Sequence, residues 1–492
     1  MGINFIRGHR GHAVASERIV RSTIWNRRLQ RSGLDKIDII NKYKLIITYI
    51  IMENLDEEEL LDLQEDILNT VDEFISNNIY KMSNPTFHED MLDEISTLYH
   101  EYWMDCHLCD DEDYEIVEEI IELFVDLYFH MYDIPMRSEP YGSIREIKKI
   151  NKEEIKKQLE YLNSIPQPKQ KTQEWHDSRY NLLTASNLWK CLGSDAQRNS
   201  LIYDKCKPPD TNMENRFNNT EGTLHWGVKY EPVTLMIYKM MFSTNVSEYG
   251  CIPDDEYPFI GASPDGINTD ESNETLFGRM IEIKNIYNRI ITGIPKEEYW
   301  VQCQMQLRTC KFKECDFVET RIKEHDTEEE FYNDITSEYK GVILYFVQRT
   351  TGYNIDVSNS IPYNNAPHYI YMPLELDMDK ESIDAWIIEK KNENKGHVLF
   401  KTIYWYLDEF SCVLIQRNDK WFEAVLPRIK DTWDTIVKER KDGYEHRAST
   451  KRKRSGSEGG ITVIKTDSVS SQQIHNMPLT NSICLIKLDA LE

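Results

Sequence analysis

A chain of 492 residues carrying a net charge of −26 is long enough for about three domain-sized units and at least one large core. With 40% hydrophobic and 29% charged residues its composition is that of an ordinary water-soluble protein. No apolar run approaches the roughly 20 residues of a membrane span, and the best candidate, Tyr43 to Met52, reads as a core helix. Ten cysteines without a framework, and an N-terminus lacking an apolar leader, argue against secretion and for a reducing, intracellular setting. A strongly acidic total does not exclude a nucleic-acid partner, because binding depends on the local field of a cleft.

Along the chain, residues 1–33 form a basic arm expected to be disordered. From 34 to 165, apolar residues recur at helical spacing among many acids, as in Glu59 to Leu68 and Val117 to Leu127. This predicts an all-helical accessory domain with an acidic outer face. Cys106 and Cys109 have metal-type spacing, but no second pair completes a zinc site. Ile144 to Leu162 predicts a further helix, ended by Pro166 and Pro168. Residues 172–440 mix helices with β-rich segments. Residues 441–492 turn basic and then Ser/Gly-rich, a flexible tail in which Lys451 to Arg454 suits a nuclear import signal.

The chemistry concentrates in the third region. An apolar strand from Phe259 runs into Ser263-Pro264-Asp265-Gly266, leaving Asp265 at a strand end. The alternating Arg279-Met-Ile-Glu282-Ile-Lys284, whose Glu282 comes seventeen residues after Asp265, predicts a half-buried strand with Glu282 and Lys284 on one face. If these two strands pair, Asp265, Glu282 and Lys284 converge at one sheet edge. Two hard carboxylates and the Ile283 carbonyl suit Mg²⁺, and a lysine beside the ion suits phosphodiester hydrolysis. Taken alone, Glu-x-Lys on a strand usually means an exposed ion pair; the order and spacing of the whole set raise the signal.

This arrangement resembles the PD-(D/E)XK nuclease superfamily, in particular its lambda-exonuclease-like branch with the YqaJ-type viral recombinases. The resemblance covers Gln173 to Arg308 and rests on further matches: Trp175-x-x-x-Arg179 with Thr184-Ala185-Ser186, Gly227-Val-Lys-Tyr-Glu231, and the Tyr-x-x-Gln-x-Gln pattern of Tyr299, Gln302 and Gln304, which a third alternating glutamine, Gln306, follows. It implies an α/β (α+β) fold with a restriction-endonuclease-like core, a mixed central sheet flanked by helices, behind an N-terminal helical domain. It implies Asp265, Glu282, the Ile283 carbonyl and Glu231 around Mg²⁺, with Mn²⁺ as a substitute. Lys284 and Gln302 would act on water and scissile phosphate; Arg179, Thr184 and Ser186 would grip a phosphate, and Tyr299 and Gln304 would lie near DNA. Thr184 or Ser186 could also cap the following helix, whose N–H groups favour an anion.

The implied activity is a 5′–3′ exonuclease that resects duplex ends and leaves single-stranded DNA for viral recombination or repair. A homo-oligomer and a single-strand annealing protein are the implied partners, with a host-cytoplasm, viral-factory or virion location. No iron–sulfur cluster is expected, since Cys191, Cys206, Cys251, Cys303, Cys310, Cys315 and Cys412 show no Cys-x-x-Cys grouping. A basic rim of Lys190, Lys205, Lys207, Lys229, Arg289, Lys296 and Arg308 is expected to meet the DNA and make binding salt-sensitive. A nicking or structure-specific endonuclease, and an inactive DNA-end scaffold, remain open as alternatives.

Overall fold

The computed structural model describes residues 57–132, 134–140, 151–168, 172–208, 222–348 and 367–448. The basic arm, the Tyr43 to Met52 candidate helix, the stretch 144–150, the import-type Lys451 to Arg454 and the tail from residue 449 onward lie outside the described residues.

Three helices open the described chain: α1 (Glu57–Asn78), α2 (Phe87–Asp105) and α3 (Tyr114–Met131). Residues 57–132 hold 23 Asp and Glu against a single Lys, so this stretch carries −22 of the chain's −26. The described acids of these helices are exposed or half-buried while Ile67, Val71, Ile75, Met91, Trp103, Val117 and Ile121 are buried. That inner face is continuous with the core of the later elements, which contributes Trp300, Trp421 and Val425.

Arg137 pins the two parts together. Its guanidinium, 1% exposed, donates through Nη2 to the carbonyls of Ser83 at 3.0 Å and Pro295 at 2.5 Å, and through Nε to Ser83 O at 3.3 Å. Its own carbonyl accepts from Trp300 Nε1 at 2.5 Å.

Next come β1 (Glu139–Pro140), α4 (Lys152–Ser164), α5 (Gln173–Tyr180), β2 (Leu183–Thr184), α6 (Ala185–Leu192), α7 (Asp195–Cys206) and α8 (Thr223–Met241). The strands β3 (Val246–Ser247), β4 (Ile252–Pro253), β5 (Ile260–Ala262), β6 (Gly266–Asn268) and β7 (Met280–Asn285) follow. Then α9 (Glu297–Cys310) crosses to β8 (Glu314–His325), succeeded by α10 (Glu328–Asn333), β9 (Lys340–Gln348), β10 (His368–Tyr371), α11 (Lys380–Glu393), β11 (His397–Gln416) and α12 (Asp419–Asp442). The result is a mixed α/β fold, as the sequence predicts: a large mixed sheet flanked by helices.

The large sheet runs β10-β9-β11-β8-β7-β6-β3, with β1 joined to β11. Within it β7 and β8 are parallel, and the other pairs are antiparallel. A parallel pair needs a crossover, and α9 supplies it. The crossover lays α9 across the strand that carries Glu282.

Two details differ from the sequence expectation. The strand before Asp265, β5, does not pair with β7; it belongs to a small sheet β2-β5-β4. The partner of β7 is β6, after the turn, with Gly266 opposite Ile281. Gly266 is required by close approach, since a Cβ there would collide with Val246 of β3. Second, β7 is buried on both faces, with Glu282 at 0% exposure, because α9 covers the side on which alternation predicts solvent.

Candidate active site

Asp265 stands between β5 and β6 and accepts the Ile283 amide N–H at 2.7 Å through Oδ2. Glu282 and Lys284 project from the same face of β7, and the Lys284 Nζ donates to Glu282 Oε1. The convergence expected from the two motifs is therefore present, reached through β6 rather than β5.

Glu231 joins them from α8. That helix is keyed to β7 one turn further on, where the hydroxyls of Thr234 and Thr320 donate to Asn285 Oδ1 at 2.7 and 2.8 Å. Burial and the Glu282 charge raise the pKa of Asp265 well above the carboxylate range, and Glu231 is raised by the same two causes. Lys284 loses charge stability to burial but regains more from Glu282 and Asp265, so its pKa is raised. With the Glu282 charge opposing the ionisation of Asp265 and Glu231 around one ammonium, the site favours added positive charge.

The three alternating glutamines of α9 divide by helical geometry. Positions four apart share a face, and a position two away lies about 200° round the axis. Gln302 Nε2 donates to Glu282 Oε1 at 2.6 Å and Gln306 Nε2 to Glu282 Oε2 at 2.5 Å. Gln304 points away: it donates to Gln416 O and accepts from Asn418 N, both at 2.8 Å, and is 2% exposed. The expected DNA contact at Gln304 is thus corrected to a core role, and Gln306, passed over by the motif, stands in the site. The i, i+4 spacing with Gln302 is the sequence signal that could have found it.

Tyr299, one turn before Gln302, lies with its ring 5.1 Å from Lys284 Nζ and stacks on Phe317 at 5.8 Å. The loop after β7 exposes Tyr287 (56%) and Ile290 (79%) beside the site.

Arg179 ends α5 with its guanidinium over the Trp175 ring at 4.6 Å and in contact with the Cys251 thiol. Cys251 in turn lies beside Ser263, two residues before Asp265. Lys205 donates to Arg179 O at 2.7 Å, and burial with the neighbouring Arg179 and Arg440 lowers its pKa to about 8. Three cations thus gather on this flank.

Ser186 is exposed on the first turn of α6. Thr184 occupies the N-cap position, but its side chain makes no cap bond; it is 2% exposed and accepts from Asn187 Nδ2 at 3.3 Å. Burial in β2 removes it from a phosphate-binding role.

The expected basic rim is only partly free. Lys229 is buried and donates to Glu324 at 2.6 Å, Arg308 pairs with Asp254 and Glu256, and Arg289 pairs with Glu319. Each lies beside an acid of a neighbouring segment that the linear sequence does not place next to it. Lys207 and Lys296 are exposed, and Lys190 is half-buried.

Residues 174–313 match the YqaJ-like viral recombinase domain family. An uncharacterised protein of Acanthamoeba polyphaga mimivirus is 29% identical over 346 residues, covering 64% of this chain; the match spans 60% of that relative's length. The crystal structure of an alkaline exonuclease from Laribacter hongkongensis aligns over 56% of this chain and 95% of its own, at 18% identity and a TM-score of 0.30. The structure of the same exonuclease in complex with dAMP aligns over the same shares at 19% identity and a TM-score of 0.30. The segment similar to the YqaJ-like viral recombinase domain family, residues 174–313, holds Glu231, Asp265, Glu282, Lys284 and Gln302.

Proposed function

We propose that this protein is a metal-dependent deoxyribonuclease that hydrolyses DNA phosphodiester bonds, working as a 5′–3′ exonuclease on duplex ends in viral recombination or repair. The observation that carries the reading is the meeting of Asp265, Glu282 and Glu231 around Lys284, with Gln302 bonded to Glu282.

The donor set fits a hard divalent cation. Among the described residues no three His, Cys, Asp or Glu side chains lie close enough to hold an ion unaided, so the Ile283 carbonyl and water would complete a shell begun by Asp265 and Glu282. Bound there, Mg²⁺ or Mn²⁺ would acidify its water and neutralise charge on the phosphoryl oxygens. Glu231, on the open side of the site, is placed to hold water of that shell. Lys284, kept charged by Glu282 and Asp265, is placed to orient the attacking water and to stabilise the charge that develops on phosphate. Gln302 fixes the Glu282 carboxylate so that this geometry precedes substrate. Arg179 and the exposed Ser186 offer a cationic and a hydroxyl contact to an adjacent or terminal phosphate, and Lys205 adds to the field.

The test is a digest of end-labelled linear duplex and closed circular duplex with Mg²⁺, beside Asp265→Ala. Loss of linear DNA from its 5′ ends, absent in the variant, is the expected result. Cleavage of the circle would instead establish an endonuclease, and no cleavage of either would leave a DNA-end scaffold.

A further inference from the structure

Gln306 touches both halves of the acidic site at once, and the site's family motif does not include it. We propose that Gln306 is a positioning residue that sets the spacing of Asp265 and Glu282 and so the affinity for the divalent cation; this rests on the metal-dependent reading above.

The amide of Gln306 is 0% exposed, and its Nε2 donates to Glu282 Oε2 at 2.5 Å and to the Ser263 carbonyl at 3.1 Å. Both partners only accept, so the amide can face only one way. Ser263 begins the turn that ends in Asp265, while Glu282 lies in the middle of β7; one NH₂ group therefore ties the two ligand-bearing segments together. Glu282 Oε1 is held by Lys284 and Gln302, and Gln306 is the donor on Oε2, so removing it frees the carboxylate to rotate. Oxygen ligands grip a divalent cation within a few tenths of an ångström, so a rotated or displaced carboxylate binds poorly.

The other end of the side chain argues for a role beyond packing. Gln306 Oε1 is buried and finds no hydrogen-bond partner among the described residues. An orphaned acceptor destabilises the fold, and a helix position kept only for packing would hold an apolar side chain like its neighbours Met305 and Leu307. Gln304 shows the contrast: both of its polar ends are satisfied by the backbone of residues 416 and 418, remote from the carboxylates.

The experiment is Mn²⁺ titration calorimetry on the full chain with no DNA, comparing wild type, Gln306→Met and Gln304→Met. Gln306→Met is expected to weaken Mn²⁺ binding about 10- to 100-fold, the usual size of an outer-shell loss, with cleavage recovering at saturating Mn²⁺. Gln304→Met is expected to lower the melting temperature and leave Mn²⁺ affinity unchanged. Wild-type affinity in Gln306→Met, or an equal loss in both variants, would overturn the proposal. Should Gln306→Met not fold, Gln306→Asn keeps the amide one methylene short and is read in the same titration. A wild-type protein that takes up no Mn²⁺ removes the nuclease reading itself, a result distinct from a Gln306 variant that binds normally.

Discussion

Replacing Asp265 by asparagine should abolish cleavage and yet stabilise the protein when divalent ions are withheld. The Asp265→Asn side chain keeps an oxygen for the Ile283 amide, so the bond at 2.7 Å survives. What changes is the charge: the cost of burying a carboxylate disappears, with repulsion from Glu282 and Glu231, and so does attraction to Lys284, which retains Glu282. At a separation of about 5 Å and an effective dielectric of about 20, each such term is worth about 3 kcal/mol. Two repulsions relieved against one attraction lost leave about 3 kcal/mol, which water in a partly open site cuts to about 1 kcal/mol. For a chain of this size that is a melting temperature raised by about 1 °C.

The sign with pH follows from the raised pKa of Asp265 and Glu231. A raised carboxylate pKa means that the native state binds protons more tightly than the unfolded chain. The contribution is full below the unfolded value and is lost as pH rises through the folded one. In chelator, the advantage of Asp265→Asn should therefore grow as pH rises above the ordinary carboxylate range, and adding Mn²⁺ should reverse it by stabilising the wild type alone. Differential scanning fluorimetry with EDTA and with Mn²⁺ reads all of this. A variant that melts lower than wild type in EDTA would show that Asp265 serves the fold and would refute the electrostatic reasoning.

Two further expectations can be checked with standard assays. Lys284→Met should lower the rate of cleavage about 10²- to 10³-fold, as loss of one preorganised donor to a developing charge does, without weakening Mn²⁺ uptake; activity within tenfold of wild type would remove Lys284 from the chemistry. Arg137→Leu leaves the Ser83 and Pro295 carbonyls without their buried donor and should cost about 3 kcal/mol or more in urea unfolding, where a loss below about 1 kcal/mol would contradict its role as the pin.

How far the site could be read from the chain is clearest at β7 and α9. Alternation of apolar and polar residues puts Glu282 and Lys284 on one face, and that depends only on the period of a strand. It could not tell that α9 would cover the face, because burial of Glu282 is decided by a crossover helix that begins only at Glu297. The motif named Gln302 and Gln304, whereas the folded helix selects Gln302 and Gln306, the pair at one turn's spacing. Thr184 misleads for a similar reason, since a hydroxyl at an N-cap position can turn to a neighbouring Asn instead of the helix. Lys229, Arg289 and Arg308 look alike on paper, yet each finds an acid from another segment. Long-range pairing of charges is the part of the fold that local pattern carries least.

The continuity of α1–α3 with the core around Trp300 and Trp421 has an evolutionary and practical consequence. A chain cut back to begin at α5 would lay bare a wide apolar floor beneath the crossover helix, together with the Trp300 Nε1 and the Pro295 carbonyl that Arg137 now satisfies. The strongly negative forepart is therefore no removable appendage, and a lineage could shed it only by repaving that underside at the same time.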